Sequence, residues 1–145
     1  MAKLFTRIIN NHLNDWAEEH GKFHDKQAGF RKGYGTSDKI YILQAFVQQS
    51  VKTGHQLYMC YLNFEKAFDY VDHLCMWYKV KNLGIKGRVL STLRAKYKTL
   101  LMRVRHFDGR EIESFAGTWG VRQGETLSPF LFACVLHDME NYILK

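Results

Sequence analysis

The sequence predicts an α+β fold in a single domain, residues 1–145, with a sheet that carries helices packed on one face. Three observations lead there. The run Leu57-Tyr58-Met59-Cys60-Tyr61-Leu62 is short, aromatic and uncharged, the composition of a strand covered on both faces. On either side of it, apolar residues recur at three- and four-residue spacing, the period of helices that bury one stripe. Further on, residues 101–106 alternate in polarity and run into Asp108-Gly109, the pattern of a hairpin.

In chain order, residues 2–19 are expected to form an amphipathic helix with Leu4, Phe5, Ile8, Ile9, Leu13 and Trp16 as its stripe and Gly21 at its end. Residues 27–38 hold three glycines and two cations, Arg31 and Lys32, and read equally well as an anion-approaching loop or a plain flexible one. Thr36 or Ser37 would cap the next helix, with Ile40, Leu43, Val47 and Val51 on one face and Gly54 as its stop. The central strand then delivers Asn63-Phe64-Glu65-Lys66-Ala67-Phe68-Asp69 at its C-terminal end. Leu74, Trp77, Tyr78 and Lys81 mark a helix closed by Gly84, and Val89, Leu90, Leu93 and Tyr97 mark another from about residue 86 to 98. Both are expected to cover the sheet. The hairpin returns through residues 111–117, with Arg103, Arg105 and Arg110 on an outer face where charge serves solubility as readily as it binds nucleic acid. A glycine-rich loop, Thr118-Trp119-Gly120-Val121-Arg122-Gln123-Gly124-Glu125-Thr126-Leu127, feeds the last helix, residues 128–144, with Ser128 as cap and Pro129 in the first turn. Its stripe is Leu131, Val135, Met139 and Tyr142.

Composition narrows the function. The 46% hydrophobic and 14% aromatic content exclude a disordered chain, and the formal charge of +7 suits a polyanionic partner. Cys60, Cys75 and Cys134 lie in apolar company without Cys-x-x-Cys spacing, which reads as reduced, buried thiols and an intracellular setting, cytoplasmic or nuclear. No apolar run reaches the length of a membrane span and no signal peptide opens the chain, so it reads as soluble, without a membrane partner. The seven histidines are scattered, without the spacing of a metal site.

Two stretches carry a family resemblance. Residues 57–69, an apolar run ending in Asn-Phe-Glu-Lys-Ala-Phe-Asp, resemble motif A of the reverse transcriptases of non-LTR, LINE-like retrotransposons, in which the run ends in Asp, then Phe or Ile, Glu, Lys, Ala, Phe, Asp. Gly120-Val121-Arg122-Gln123-Gly124-Glu125-Thr126-Leu127-Ser128-Pro129 is similar to motif B of the same family, where Cys-Pro stands in place of Glu125-Thr126. Upstream, Gln27-Ala28-Gly29-Phe30-Arg31-Lys32-Gly33 resembles the fingers segment, with Tyr34 and Gly35 where the family continues with Arg and Ser.

The resemblance implies a partial polymerase palm plus part of the fingers, ending before the family's Asp-Asp motif, and a parent activity of RNA-directed DNA polymerisation on an RNA template and DNA primer. It implies a template or nucleotide contact for Arg31, main-chain amides around Phe64 beside the triphosphate, a steric gate against a 2′-hydroxyl at Phe68, and contacts to incoming nucleotide and template base from Gln123 and Gly124. A plainer role for Phe68 is to anchor its loop to the core. The family holds two magnesium ions with carboxylates, the first of which aligns with Asn63, and a neutral amide offers one weak ligand and no charge. No complete metal site is therefore expected. Glu125 would bring like charge toward the phosphates. The leading expectation is a polymerase fragment inactive by itself. The alternatives are a nucleic-acid-binding module acting through Arg31, Arg103, Arg105 and Arg122, or one half of a split polymerase. Self-association through an uncovered sheet edge is also expected.

Overall fold

Helical periodicity translates directly into helices. The computed structural model describes residues 2–98, 101–102, 105–110 and 115–143, with α1 (Ala2–Glu19), α2 (Thr36–Thr53), α3 (His73–Leu83), α4 (Gly87–Lys98), β1 (Leu101–Met102), β2 (Phe115–Ala116), α5 (Ser128–Leu136) and α6 (Glu140–Ile143). Asp72 caps α3 by accepting from the Leu74 and Cys75 amides at 3.1 and 3.3 Å. Gly84 ends it in the left-handed region at φ 113°.

The expected sheet does not form. Residues 57–62 form neither a helix nor a paired strand, and all of them are exposed, from Leu57 at 38% to Tyr58 at 86%. The run pairs with no described segment, and apolar composition cannot make a strand when the backbone N–H and C=O groups find no ladder partner. Strand pairing joins β1 and β2, antiparallel with Leu101 opposite Ala116 and Met102 opposite Phe115; a bridge links Asp72 and Trp119, and Arg105 also takes part in a bridge. The α+β palm with helices on one face of a sheet is thus corrected to a helical architecture.

Its centre is α5, where Phe130, Leu131, Phe132, Ala133 and Cys134 are all buried, so the helix is covered on every side. α3 packs on it through Met76, Trp77, Val80 and Leu83, and α4 adds Leu90, Leu93 and Tyr97. Leu13 and Ala17 of α1 and Phe23 join the same cluster, with Phe23 edge-on to Phe130 at 5.7 Å. Burying each large side chain here contributes about 1.5–3 kcal/mol.

Several local expectations change for identifiable reasons. Thr36 and Ser37 do not cap α2: its N-cap is Gly35, whose amide donates to the Asp38 carboxylate at 3.0 Å. The face Ile40, Leu43, Val47 and Val51 is exposed rather than packed. Ser128 is no cap either, since its hydroxyl donates to the Arg122 carbonyl. The last helix breaks at residues 137–139 because Lys79 Nζ takes the Val135 carbonyl at 2.8 Å, and the Met139 amide bonds to Leu136 instead. Of the three cysteines expected to be buried, Cys134 is, and burial pushes its thiol pKa up, whereas Cys60 and Cys75 are exposed.

Candidate functional site

The loop after the extended run and the glycine-rich turn before α5 are joined by main-chain hydrogen bonds. The Val121 amide donates to the Phe68 carbonyl and the Gly120 amide to the Val71 carbonyl, both at 2.8 Å. His73 Nε2 donates to the Gly120 carbonyl at 2.8 Å. Gly120 is required where it stands. Its φ is 83°, and a Cβ there would come within 3.1 Å of the Asp69 carbonyl oxygen and 3.2 Å of the Phe68 one, contacts that rigid backbone cannot relieve. Above this junction Gln123 Nε2 donates to Asp69 Oδ1 at 2.9 Å, and both side chains are exposed. Gly124, at φ 76°, has open space where its side chain would be. Gln123, Gly124 and Asp69 therefore share one accessible surface.

Phe68 faces inward. It stacks on Phe132 of α5 with ring centroids 4.7 Å apart and meets Phe30 edge-on at 5.8 Å, while Phe30 and Phe132 meet edge-on at 5.9 Å. Three segments distant in sequence are tied together by these rings. Phe64 is half-exposed and takes no part in these ring contacts, and Asn63 beside it is exposed.

Arg31 is held from within. Its Nε and one terminal nitrogen donate to the two Glu18 carboxylate oxygens at 2.9 and 2.7 Å, and its other terminal nitrogen donates to the His24 and Gln27 carbonyls. The guanidinium lies 4.1 Å from the Tyr34 ring centroid, and the side chain is 5% exposed. Hydrogen bonds from Arg31 hold the Glu18 carboxyl below its usual range. The family resemblance implies a template or nucleotide contact for Arg31; within the chain its guanidinium ties α1 to the following loop.

Glu125 is turned toward α4, where it pairs with Lys96, and its other oxygen lies 3.8 Å from Arg122 Nε. Two cations thus offset the carboxylate that was expected to face phosphate. The sequence carried one signal for this, since Lys96 stands between the buried Leu93 and Tyr97 on α4. Arg122 is partly exposed beside Gln123, Arg105 is exposed on the hairpin, and Arg103 lies outside the described residues.

Asn63 is exposed, Asp69 is engaged by Gln123 and Asp72 caps α3. Among the described residues, no three His, Cys, Asp or Glu side chains converge as a metal site requires. The donor set does not fit a pair of divalent ions. No described helix is long and apolar enough to cross a membrane.

The profile of the Reverse transcriptase (RNA-dependent DNA polymerase) family matches residues 1–145, and the chain belongs to that family. It is 28% identical over 137 residues to the retrovirus-related Pol polyprotein from type-1 retrotransposable element R2 of Nasonia vitripennis. It is likewise 28% identical over 139 residues to the probable RNA-directed DNA polymerase from transposon BS of Drosophila melanogaster. To the RNA-directed DNA polymerase from mobile element jockey of Drosophila funebris it is 26% identical over 141 residues. These matches cover 91, 96 and 97% of this chain but 12, 15 and 15% of those relatives, so it spans a small part of their length. The similarity read from motifs A and B, to polymerases of non-LTR retrotransposons, is the one the relatives carry. The family uses divalent metal ions and acts on nucleic-acid templates.

Proposed function

We propose that residues 1–145 are the nucleotide- and template-holding part of an RNA-directed DNA polymerase of a non-LTR retrotransposon, and that this polypeptide does not extend primers by itself. The observation that carries the reading is the hydrogen-bonded junction of the residue 68–72 loop with the residue 119–123 turn, capped by the Gln123–Asp69 bond. In it Gln123 and Gly124 present an amide and open backbone to a base and nucleotide. Phe68 sets the depth of the loop from its stack on Phe132, and Arg31 positions the fingers segment rather than touching the ligand. Arg122 and Arg105, with the net charge of +7, attract RNA and DNA phosphates.

Chemistry in such polymerases uses two magnesium ions held by carboxylates. Asn63 stands where the first of those carboxylates belongs, and the residues around it do not fit the ions, so no catalytic step is assigned to this polypeptide. A second reading, a binding module without catalysis, draws on the same charge and the same junction.

Filter binding of an RNA–DNA primer–template at low and moderate salt tests the reading. Association of roughly micromolar strength that weakens steeply with salt is the expected result. Absence of binding at low salt, or binding indifferent to salt, would remove it.

A further inference from the structure

An apolar groove of about 640 Å³ lies between α1 and the start of α4, and none of its lining residues belongs to the two-motif junction. Phe5, Ile9, Leu13 and Trp16 follow one another at helical spacing and form its wall on α1, while Ile85 and Val89 complete it from the turn before α4 and from the first turn of that helix. At 1.5 Å per residue the α1 stripe is about 16 Å long, room for two to three turns of another helix. Leu13 and Ile85 are buried in the floor. Phe5 and Val89 remain 53% and 45% exposed, so the upper walls are open to water.

Cations border the groove. Lys86 and Arg88 line it, and Lys22 Nζ lies 5.4 Å from the Trp16 ring centroid. Among the described residues no Asp or Glu lines the groove, and residues 79–105 hold Lys and Arg but neither acid. Lys26, Lys32, Lys79 and Lys96 each pair with a carboxylate, whereas Lys22, Lys86 and Arg88 have no such partner among the described residues. Free positive charge beside an apolar trough is complementary to a ligand that is apolar on one face and acidic at its margins.

The walls narrow the choice further. They are mostly helix, whose backbone groups are already paired, so an extended peptide would lay unpaired amides over apolar side chains. A helix brings a satisfied backbone and presents side chains alone. A nucleic-acid strand could use the cations, but aliphatic walls offer phosphates nothing, and the Trp16 ring already carries Lys22 over it and His20 beside it at 5.6 Å.

We propose that this groove docks an acidic amphipathic helix of a partner protein, with leucine or phenylalanine anchors at i, i+3 or i+4, and i+7 seated between α1 and α4. Glutamate or aspartate beside those anchors faces Lys22, Lys86 and Arg88. The proposal is independent of the nucleic-acid reading and gives this side of the chain a protein partner.

The test uses the 145-residue chain and fluorescence anisotropy with labelled synthetic helices of equal length. One carries leucine anchors among glutamates, a second the same anchors among lysines, and a third glutamates with glutamine at the anchor positions. The wild type should bind the first at least tenfold more tightly than either of the others. Val89→Asp should weaken that binding about tenfold, and because the position is half-exposed the variant should melt with the wild type. Lys86→Glu combined with Arg88→Glu should reverse the preference between the glutamate and lysine helices, an outcome that unfolding cannot produce. Failure to bind the first helix, equal binding of any two helices by the wild type, or unchanged affinity in folded Val89→Asp overturns the proposal. Self-association in sedimentation that Val89→Asp abolishes would seat a second copy in the groove, and an oligouridylate that displaces the glutamate helix would seat nucleic acid there. Either result overturns the partner helix.

Discussion

Residues 36–64 and residues 65–98 are similarly rich in apolar side chains, yet they have opposite fates. In the second region Val71, Met76, Trp77, Val80, Leu83, Leu90 and Leu93 are buried around α5. In the first, α2 has no buried residue and the run at 57–62 is wholly exposed, so Phe46, Tyr61 and Leu62 face solvent beside Ile40 and Val51. The difference lies in partners rather than in pattern. α3 and α4 have α5 to pack against, whereas no described element covers α2. An amphipathic period says that a face is available for burial, not that the chain supplies what buries it.

The largest expected effect breaks this contrast from the buried side. Phe130→Ala should cost about 3–5 kcal/mol, since it opens a cavity in a fully enclosed helix, whereas Ile40→Ala or Val51→Ala in α2 should change stability by less than about 0.5 kcal/mol. Urea denaturation of the three variants checks it. Equal losses would mean that α2 is packed in solution and that the two regions do not differ.

Gly120→Ala comes next. A methyl group within about 3.1 Å of the Asp69 carbonyl oxygen, at a φ of 83°, should cost roughly 1–3 kcal/mol and loosen the junction of the two motifs. Gly124→Ala, also at positive φ but with nothing near its side-chain position, should cost less. Thermal melts rank the two variants, and the opposite ranking would place the close contact elsewhere.

This junction shows how much of the site was legible in advance. Both motifs stand out in the chain by their glycines, aromatics and charges, and Gln123 and Gly124 do lie together on a surface. Their hydrogen bonds to the other segment, such as Gln123 to Asp69 across 54 positions, have no periodic signature. Arg31 illustrates the same limit: nothing in the glycine-rich loop announces that Glu18, thirteen residues earlier on α1, takes two of its donors. For the fold, helix positions were legible because the period of apolar residues is local. The strand at residues 57–62 was not, since a strand exists only with its neighbour.

A smaller effect concerns pH and the Glu18–Arg31 pair. Glu18 titrates lower in the folded chain than in the unfolded one because Arg31 bonds to its carboxylate. The folded state then binds fewer protons, so the pair's stabilisation is complete above the unfolded-state pKa and is lost as pH falls through the folded value. Melting temperatures of the wild type and Glu18→Gln should therefore differ most near neutrality and converge below about pH 4. A difference that does not change with pH would mean that the pair contributes through packing alone.

Asn63 is where binding and chemistry part. Deoxynucleotide incorporation on an RNA template with magnesium, measured for the unmodified 145-residue chain and for Asn63→Asp, tests that separation directly. One restored carboxylate leaves two mutually repelling ions under-coordinated, so neither polypeptide should extend the primer while both bind it. Robust magnesium-dependent extension by the unmodified chain would contradict the account.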